Sequence, residues 1–157
     1  MVPVDVDEEY FAMLNKALKM EIQAIVQYMT QHSKTEMLKM RKKTKPLQII
    51  TGKNKYEILA GILKDISIIE MKHAEKIAER IFVLGGEALA KAFPPKIGDS
   101  FEEILKIDLE AESGAMAFYR EIIAEATKRG DITTKRMFEH IYEEEEGHYW
   151  QFDEYVE

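Results

Sequence analysis

At 157 residues the chain is long enough to bury a core of its own, and it has no cysteine, which excludes disulfides, iron–sulfur clusters, zinc fingers and rubredoxin-type iron centres. The net charge of -7 is unevenly spread: residues 34–55 hold eight basic side chains against Glu36 alone, a local +7 that leaves -14 on the rest. No apolar run approaches the roughly 20 residues of a membrane span, and the acidic N-terminus lacks the basic and apolar regions of a signal peptide, so the expected location is the cytoplasm.

Helical periodicity runs through most of the sequence, and Val/Thr-rich alternating segments are nearly absent. The expected fold is therefore all-α: a four-helix bundle forming one domain over 1–157, with a basic insertion at about 34–56. Helix one is predicted from about Asp7 to about Ser33, with the stripe Phe11, Leu14, Leu18, Glu21, Ile25, Tyr28 and His32 at spacings of three and four. Glu21 falls in the middle of that stripe, where an unpaired charge costs several kcal/mol, so it must be paired, protonated or metal-bound. Residues 34–56 read as the least regular stretch. Pro46 and Gly52 interrupt the helical pattern, and the run from Pro46 to Ile50 reads as a short turn or extended piece.

Helix two is predicted over about Tyr56 to Leu84. Its inward stripe is Leu59, Leu63, Ile66, Glu70, His73, Ile77, Ile81 and Leu84, and Gly85-Gly86 stops it. Residues 87–99 make a connection long enough to run back along the bundle, so helix three need not lie antiparallel to helix two. Helix three opens on the capping pattern Ser100-Phe101-Glu102-Glu103 and continues to about Arg129, with Leu105, Leu109, Glu112, Met116, Tyr119 and Ile123 inward. Gly130 ends it and Asp131 caps helix four, which turns Phe138, Ile141, Glu145, His148, Phe152 and Tyr155 inward.

Two pairs in these stripes carry chemistry. Glu70 and His73, and again Glu145 and His148, stand three residues apart on one helical face, so each pair can reach one metal ion. A lone His on an apolar face is usually a hydrogen-bonded core residue. Here two of only four histidines follow the same spacing, and the other two helices each supply a glutamate at matching depth, Glu21 and Glu112. Four carboxylates offset the charge of two divalent ions, and two of them can bridge ions roughly 3.5–4 Å apart. Glu70 and Glu145 are the expected bridges, Glu21 and Glu112 the terminal ligands, and His73 and His148 the nitrogen ligand of each metal. Mixed imidazole and carboxylate ligation suits iron or manganese better than zinc. Glu110, Glu143 and Glu144 fall off the inward stripes.

The alternation of single Glu, Glu-His, single Glu, Glu-His resembles the ferritin-like di-iron and di-manganese carboxylate bundles. More closely, the segment Leu14–Glu21 with Ala24-Ile25 and Gln27-Tyr28 is similar to the first helix of bacterioferritin. Glu70–Ala74 with Glu79–Phe82 is similar to its second, and Lys96–Asp99, Asp108-Leu109 and Glu145–His148 continue the likeness in order. That resemblance implies that the six residues are ferroxidase ligands. The implied reaction is oxidation of Fe(II) by O2 or H2O2, for iron storage and peroxide detoxification in a hollow homo-oligomeric shell. It also implies that Tyr28 is an aromatic electron donor near the metals, and that Met71 is a haem ligand at a subunit two-fold. Departures from the family pattern are Asp65 and Ile69 where an inner-surface iron site would lie, Trp150 displaced by one, and the insertion at 34–56. The family's short fifth helix has no counterpart before Glu157, so a shell of twelve subunits is expected as well as one of twenty-four. Two alternatives stand beside storage: a rubrerythrin-like peroxidase without mineral, and a Dps-like shell that protects DNA through the basic 34–55 stretch.

Overall fold

The computed structural model describes residues 4–41, 49–50 and 53–156. Four helices account for most of them: α1 (Glu8–Arg41), α2 (Lys55–Val83), α3 (Phe101–Lys128) and α4 (Ile132–Asp153). Two two-residue strands, β1 (Ile49–Ile50) and β2 (Lys53–Asn54), pair antiparallel just before α2, with Ile49 opposite Asn54.

The first correction to the sequence reading concerns α1. It does not stop near Ser33 but continues two more turns to Arg41. No glycine or proline interrupts residues 34–41, and Met37, Leu38 and Lys39 are good helix formers. The extension is also tied down, because Leu38 packs on the core and Lys39 Nζ lies 2.6 Å from Glu57 of α2. The basic stretch thus begins as helix. Lys42, Lys43, Lys45, Pro46 and Gly52, on which much of the DNA-shell reading and the predicted irregular turn depend, lie outside the described residues.

The remaining boundaries follow local signals. Asn54, Ser100 and Asp131 cap α2, α3 and α4, each side chain accepting from a backbone N–H three residues on. At the end of α2, Gly85 (φ 89°) donates to Phe82 O and Gly86 donates to Ile81 O, the paired bonds that close a helix through a left-handed residue. Gly130 (φ 69°) repeats this after α3, and Asp131 serves both as the last donor of that motif and as the cap of α4.

Contacts between the helices set their directions. Tyr56 at the start of α2 meets Phe101 at the start of α3, with ring centroids 5.6 Å apart, so α2 and α3 run parallel. The 84–100 connection therefore has to travel the length of the bundle, as the long crossover predicted from sequence requires. Buried amides on α1 clasp it. Asn15 exchanges hydrogen bonds with Glu87 O (3.0 Å) and Leu89 N (2.7 Å), while Gln27 accepts from Lys96 N at 3.1 Å. Gln27 also donates to Asp108 of α3 at 3.0 Å. These partners explain why Asn15, Gln27 and Asp108 are buried at positions that periodicity alone would leave polar and solvated.

The core is split in two. One apolar cluster gathers Tyr10, Leu14, Leu18, Ile77, Ile81 and Phe138, with Ile122 and Ile141. The other, toward the opposite end, contains Tyr28, Leu59, Leu63, Ile66, Phe101, Ile104 and Phe152. The predicted stripe of α2 is buried throughout. In α1, Phe11, Ile25 and His32 are only half-buried, and Tyr10, Ala17 and Gln31 take the inward places. In α3, Leu109, Met116 and Ile123 give way to Ile104, Ala115, Phe118 and Ile122, because that helix faces α1 as well as α4. A buried ion pair closes the first end: Arg80 Nη2 donates to Asp131 Oδ1 at 2.5 Å, and Tyr10 donates to the other oxygen at 3.1 Å. No helix among the described residues is long and apolar enough to cross a membrane.

Candidate metal centre

Between the two apolar clusters lies a polar layer. Glu21 comes from α1, Glu70 and His73 from α2, Glu112 from α3, and Glu145 and His148 from α4, all 4% exposed or less. The structure brings together all six residues predicted from the two Glu-His pairs and the two single glutamates. Their ligand atoms form two overlapping groups, Glu21, Glu70, His73 and Glu145, and Glu70, Glu112, Glu145 and His148. Glu70 and Glu145 belong to both.

The atom-level geometry separates two kinds of carboxylate. Glu70 places Oε2 3.0 Å from His73 Nδ1 and Oε1 3.0 Å from His148 Nδ1. Glu145 does the same with its oxygens exchanged, at 3.2 Å and 3.1 Å. Each therefore offers one oxygen to each half of the layer. Glu21 and Glu112 each offer one oxygen only: Oε2 of Glu21 lies 3.7 Å from His73 Nδ1, and Oε2 of Glu112 lies 3.8 Å from His148 Nδ1. Their other oxygens are occupied. Tyr28 donates to Glu112 Oε1 at 2.5 Å, and Tyr119 donates to Glu21 Oε1.

The imidazoles are oriented to match. Both turn Nδ1 inward, with ring centroids 6.2 Å apart and planes 28° from parallel. His73 Nε2 lies 2.8 Å from Glu144 Oε2, which holds a proton on Nε2, so Nδ1 is the nitrogen that faces the layer and can give up its proton to a metal ion. Sequence reasoning set Glu144 aside as off the inward stripe. Its carboxylate nevertheless reaches back to the ring, a contact that no spacing rule signals. Tyr119 belongs to the predicted apolar stripe of α3, a pattern that does not report its hydroxyl. The signal was present, because Tyr119 follows Glu112 by seven residues as Tyr28 follows Glu21. Met71 lies elsewhere, 53% exposed on the outer face of α2 near the exposed Ile68.

Four buried carboxylates this close repel one another and lose their hydration, which costs several kcal/mol per ion unless cations compensate. Protons play that part in the metal-free chain. Burial and the charge of Glu21 push the Glu70 carboxyl up, and burial with Glu145 pushes Glu112 well above its usual range. Burial opposes charge on His148, but Glu112, Glu145 and Glu70 outweigh it and push the imidazole up to about 12. His73 is likewise raised: burial pulls down, and Glu145, Glu21 and Glu70 prevail. Glu70 Oε1 also lacks a well-aligned hydrogen bond although it is buried. A buried, acid-rich layer whose inward imidazole nitrogens hold displaceable protons, with an unsatisfied carboxylate oxygen, fits a pair of divalent cations.

The layer is reachable. A cavity of about 190 Å³ opens between α1 and α3, lined by Glu21, Tyr28, Glu70, Glu112, Tyr119 and Glu145. The two histidines stand on the opposite side, on α2 and α4.

A family model for the ferritin-like domain matches residues 50–157. Bacterioferritin of Desulfovibrio desulfuricans is 36% identical over 136 residues, covering 86% of this chain and 67% of that protein. Bacterioferritin of Rhodobacter capsulatus is 35% identical over 146 residues, covering 90% of this chain and 79% of that one. Among solved structures, the Rhodobacter capsulatus bacterioferritin superposes with a TM-score of 0.79 at 32% identity, over 95% of this chain and 84% of that chain. It has a metal-free dinuclear site and haem iron in a crystallographic special position. The Desulfovibrio desulfuricans bacterioferritin, whose di-iron site is seen in different catalytic states, superposes with a TM-score of 0.79 at 33% identity, over 93% and 77%.

Proposed function

We propose, from the premise that this chain belongs to the bacterioferritin family of ferritin-like proteins, that its polar layer is a two-iron ferroxidase centre serving iron storage and peroxide detoxification. The observation that carries this reading is the division of labour among the carboxylates. Glu70 and Glu145 present one oxygen to each imidazole, as bridges must, while Glu21 and Glu112 present one oxygen to one side, as terminal ligands do. His73 and His148 would each give Nδ1 to one ion. Two bound irons would supply the redox chemistry, passing from Fe(II) to Fe(III) while O2 or H2O2 is reduced.

The chain's own residues do the rest. Glu144 holds the Nε2 proton of His73, so Nδ1 is the nitrogen that yields its proton when a cation binds. Binding displaces protons held by the imidazoles and by Glu70 and Glu112, and their carboxylates then neutralise the incoming charge. Tyr28 holds Glu112 and is the nearby aromatic electron donor of this reading. The cavity between α1 and α3 admits small species on the carboxylate side, and the apolar clusters above and below keep bulk water out. A shell of identical copies would receive the ferric product as mineral. Met71, exposed beside Ile68, would give its thioether to haem between two copies, in a family where haem iron is seen in the Rhodobacter capsulatus structure.

Aerobic Fe(II) loading tests the proposal. Retained iron far exceeding two per subunit, with loss of loading in Glu70→Ala, is the expected result. Retention of only a few irons per subunit with rapid H2O2 turnover would replace storage by peroxidase activity.

A further inference from the structure

A lone buried carboxylate lies outside the metal layer, beneath the crossover. Asp108 of α3 is 0% exposed, and no Lys, Arg or His among the described residues pairs with it. Its Oδ1 accepts from Gln27 Nε2 at 3.0 Å, while Oδ2 lacks a well-aligned hydrogen bond. On α1, Gln27, Gln31 and Thr35 follow one another at intervals of four, so they share the side of the helix that meets Asp108 through Gln27. Gln31 and Thr35 are also 0% exposed, and Gln31 Oε1 and Thr35 Oγ1 are likewise without a well-aligned partner. These are three of the four buried side-chain oxygens so placed among the described residues, and the fourth, Glu70 Oε1, belongs to the metal layer. Turning the Gln31 amide over would not satisfy the group: Nε2 donates to Lys96 O of the crossover at 3.4 Å, and Oε1 would then face that carbonyl.

Burying a carboxylate and two further oxygens without donors or a counter-charge is costly, so a positive species is needed to complete the group. One carboxylate with amide and hydroxyl oxygens is a hard donor set that carries a single negative charge, with no nitrogen or sulfur for a transition metal. A monovalent ion neutralises it, whereas a divalent one would leave buried charge uncompensated. We propose that Asp108, Gln31 and Thr35 form a binding site for a monovalent alkali cation, Na+ or K+, that ties α1 to α3 beneath the crossover. Asp108 lies one turn before Glu112 on α3, and Gln27 immediately before Tyr28 on α1, so the ion braces the two helices beside the metal layer. None of its three ligands is among the six residues of that layer, and the site does not depend on the two-iron reading.

Thermal denaturation of the full chain in NaCl, KCl and tetramethylammonium chloride tests the site. The comparison is made at pH 9, above the value of about 8 to which burial pushes the Asp108 carboxyl, so that a proton does not hold the place. Tetramethylammonium is too bulky for a buried site, and equal ionic strength keeps surface screening constant. At about ten times Kd the fitting ion should raise Tm by roughly 3–6 °C over tetramethylammonium. In Asp108→Asn and Thr35→Val that difference should vanish. Crystals of the wild-type protein grown in the stabilising ion should hold it against Asp108, Gln31 and Thr35, and where that ion is K+, Rb+ in its place should give an anomalous peak there. Equal Tm in the three salts, a difference that survives in Asp108→Asn, or a water hydrogen-bonded among the three side chains would each overturn the proposal. The crystal measurement needs no variant, so it decides the matter even if a substituted chain fails to fold.

Discussion

Replacing Glu112 with Gln should stabilise the metal-free protein while weakening its response to metal. Glu112 is 2% exposed, and burial together with Glu145 holds its carboxyl well above the ordinary 4.5. A group raised in the folded state contributes no penalty below its unfolded value and an increasing one as pH rises above it. At pH 7 the penalty is capped by the cost of carrying a proton from 4.5 to 7, about 3 kcal/mol. Gln carries none of it and can still accept from Tyr28 through its carbonyl oxygen. For a chain of this size about 1 kcal/mol moves Tm by roughly 2–4 °C, so the variant should melt up to roughly 6–12 °C above wild type at pH 7 and level with it near pH 4. Metal narrows the gap. At a Co(II) concentration about 100 times Kd, wild type gains about 2.7 kcal/mol, and the variant, short of one charged ligand, gains less. Differential scanning fluorimetry with and without Co(II) should therefore show a larger upward shift for wild type than for the variant, so that the two melting temperatures converge. A variant that melts below wild type without metal at pH 7, or one that shifts equally with metal, would refute the reasoning.

Further predictions concern protons and the buried pairs. Two raised imidazoles must each lose a proton when two divalent ions bind, so calorimetry in buffers of differing ionisation enthalpy should show release of about two protons or more per subunit; no release would mean the histidines are not ligands. Asp108 is raised to about 8 by burial, against opposing hydrogen bonds from Gln27 and Gln31, so its contribution to stability is full below 3.8 and declines as pH rises toward 8. Asp108→Asn should remove that slope and raise Tm at pH 8 with little change at pH 4, read by thermal denaturation. Arg80→Met breaks a buried ion pair and leaves Asp131 without its cation, which should cost about 3–5 kcal/mol in urea denaturation. A loss below 1 kcal/mol would show that Tyr10 and Thr134 satisfy Asp131 unaided.

Much of this was legible in the chain, for a physical reason. Where a helix faces a single apolar neighbourhood, period and burial coincide, so the stripe of α2 holds from Leu59 to Leu84 and the Glu70–His73 pair is placed with it. A carboxylate on such a stripe is conspicuous because it is costly, and that cost singles out Glu21 and Glu112 from the sequence alone. The caps Ser100 and Asp131 and the stops at Gly85 and Gly130 act within a few residues and were readable for that reason. Hidden features depended on partners distant in sequence. Gln27 and Asn15 are buried because the crossover runs over them, and periodicity holds no record of a loop's path. The end of α1 lies eight residues beyond the predicted Ser33 because no glycine or proline stands between Lys34 and Arg41 to stop it, and Leu38 and Lys39 are held by partners distant in sequence. Tyr119 counted as apolar bulk since a stripe registers ring size and not where a hydroxyl points, and Glu144 reaches His73 from a position adjacent to a ligand.

The two-metal claim meets its most direct test in crystals grown anaerobically with Fe(II) and measured at the iron edge. Two anomalous peaks per subunit are predicted, roughly 3.5–4 Å apart, both in contact with Glu70 and Glu145, one beside Glu21 and His73 and the other beside Glu112 and His148. A single peak, or iron bound only on the surface with the six side chains still hydrogen-bonded to one another, would contradict it.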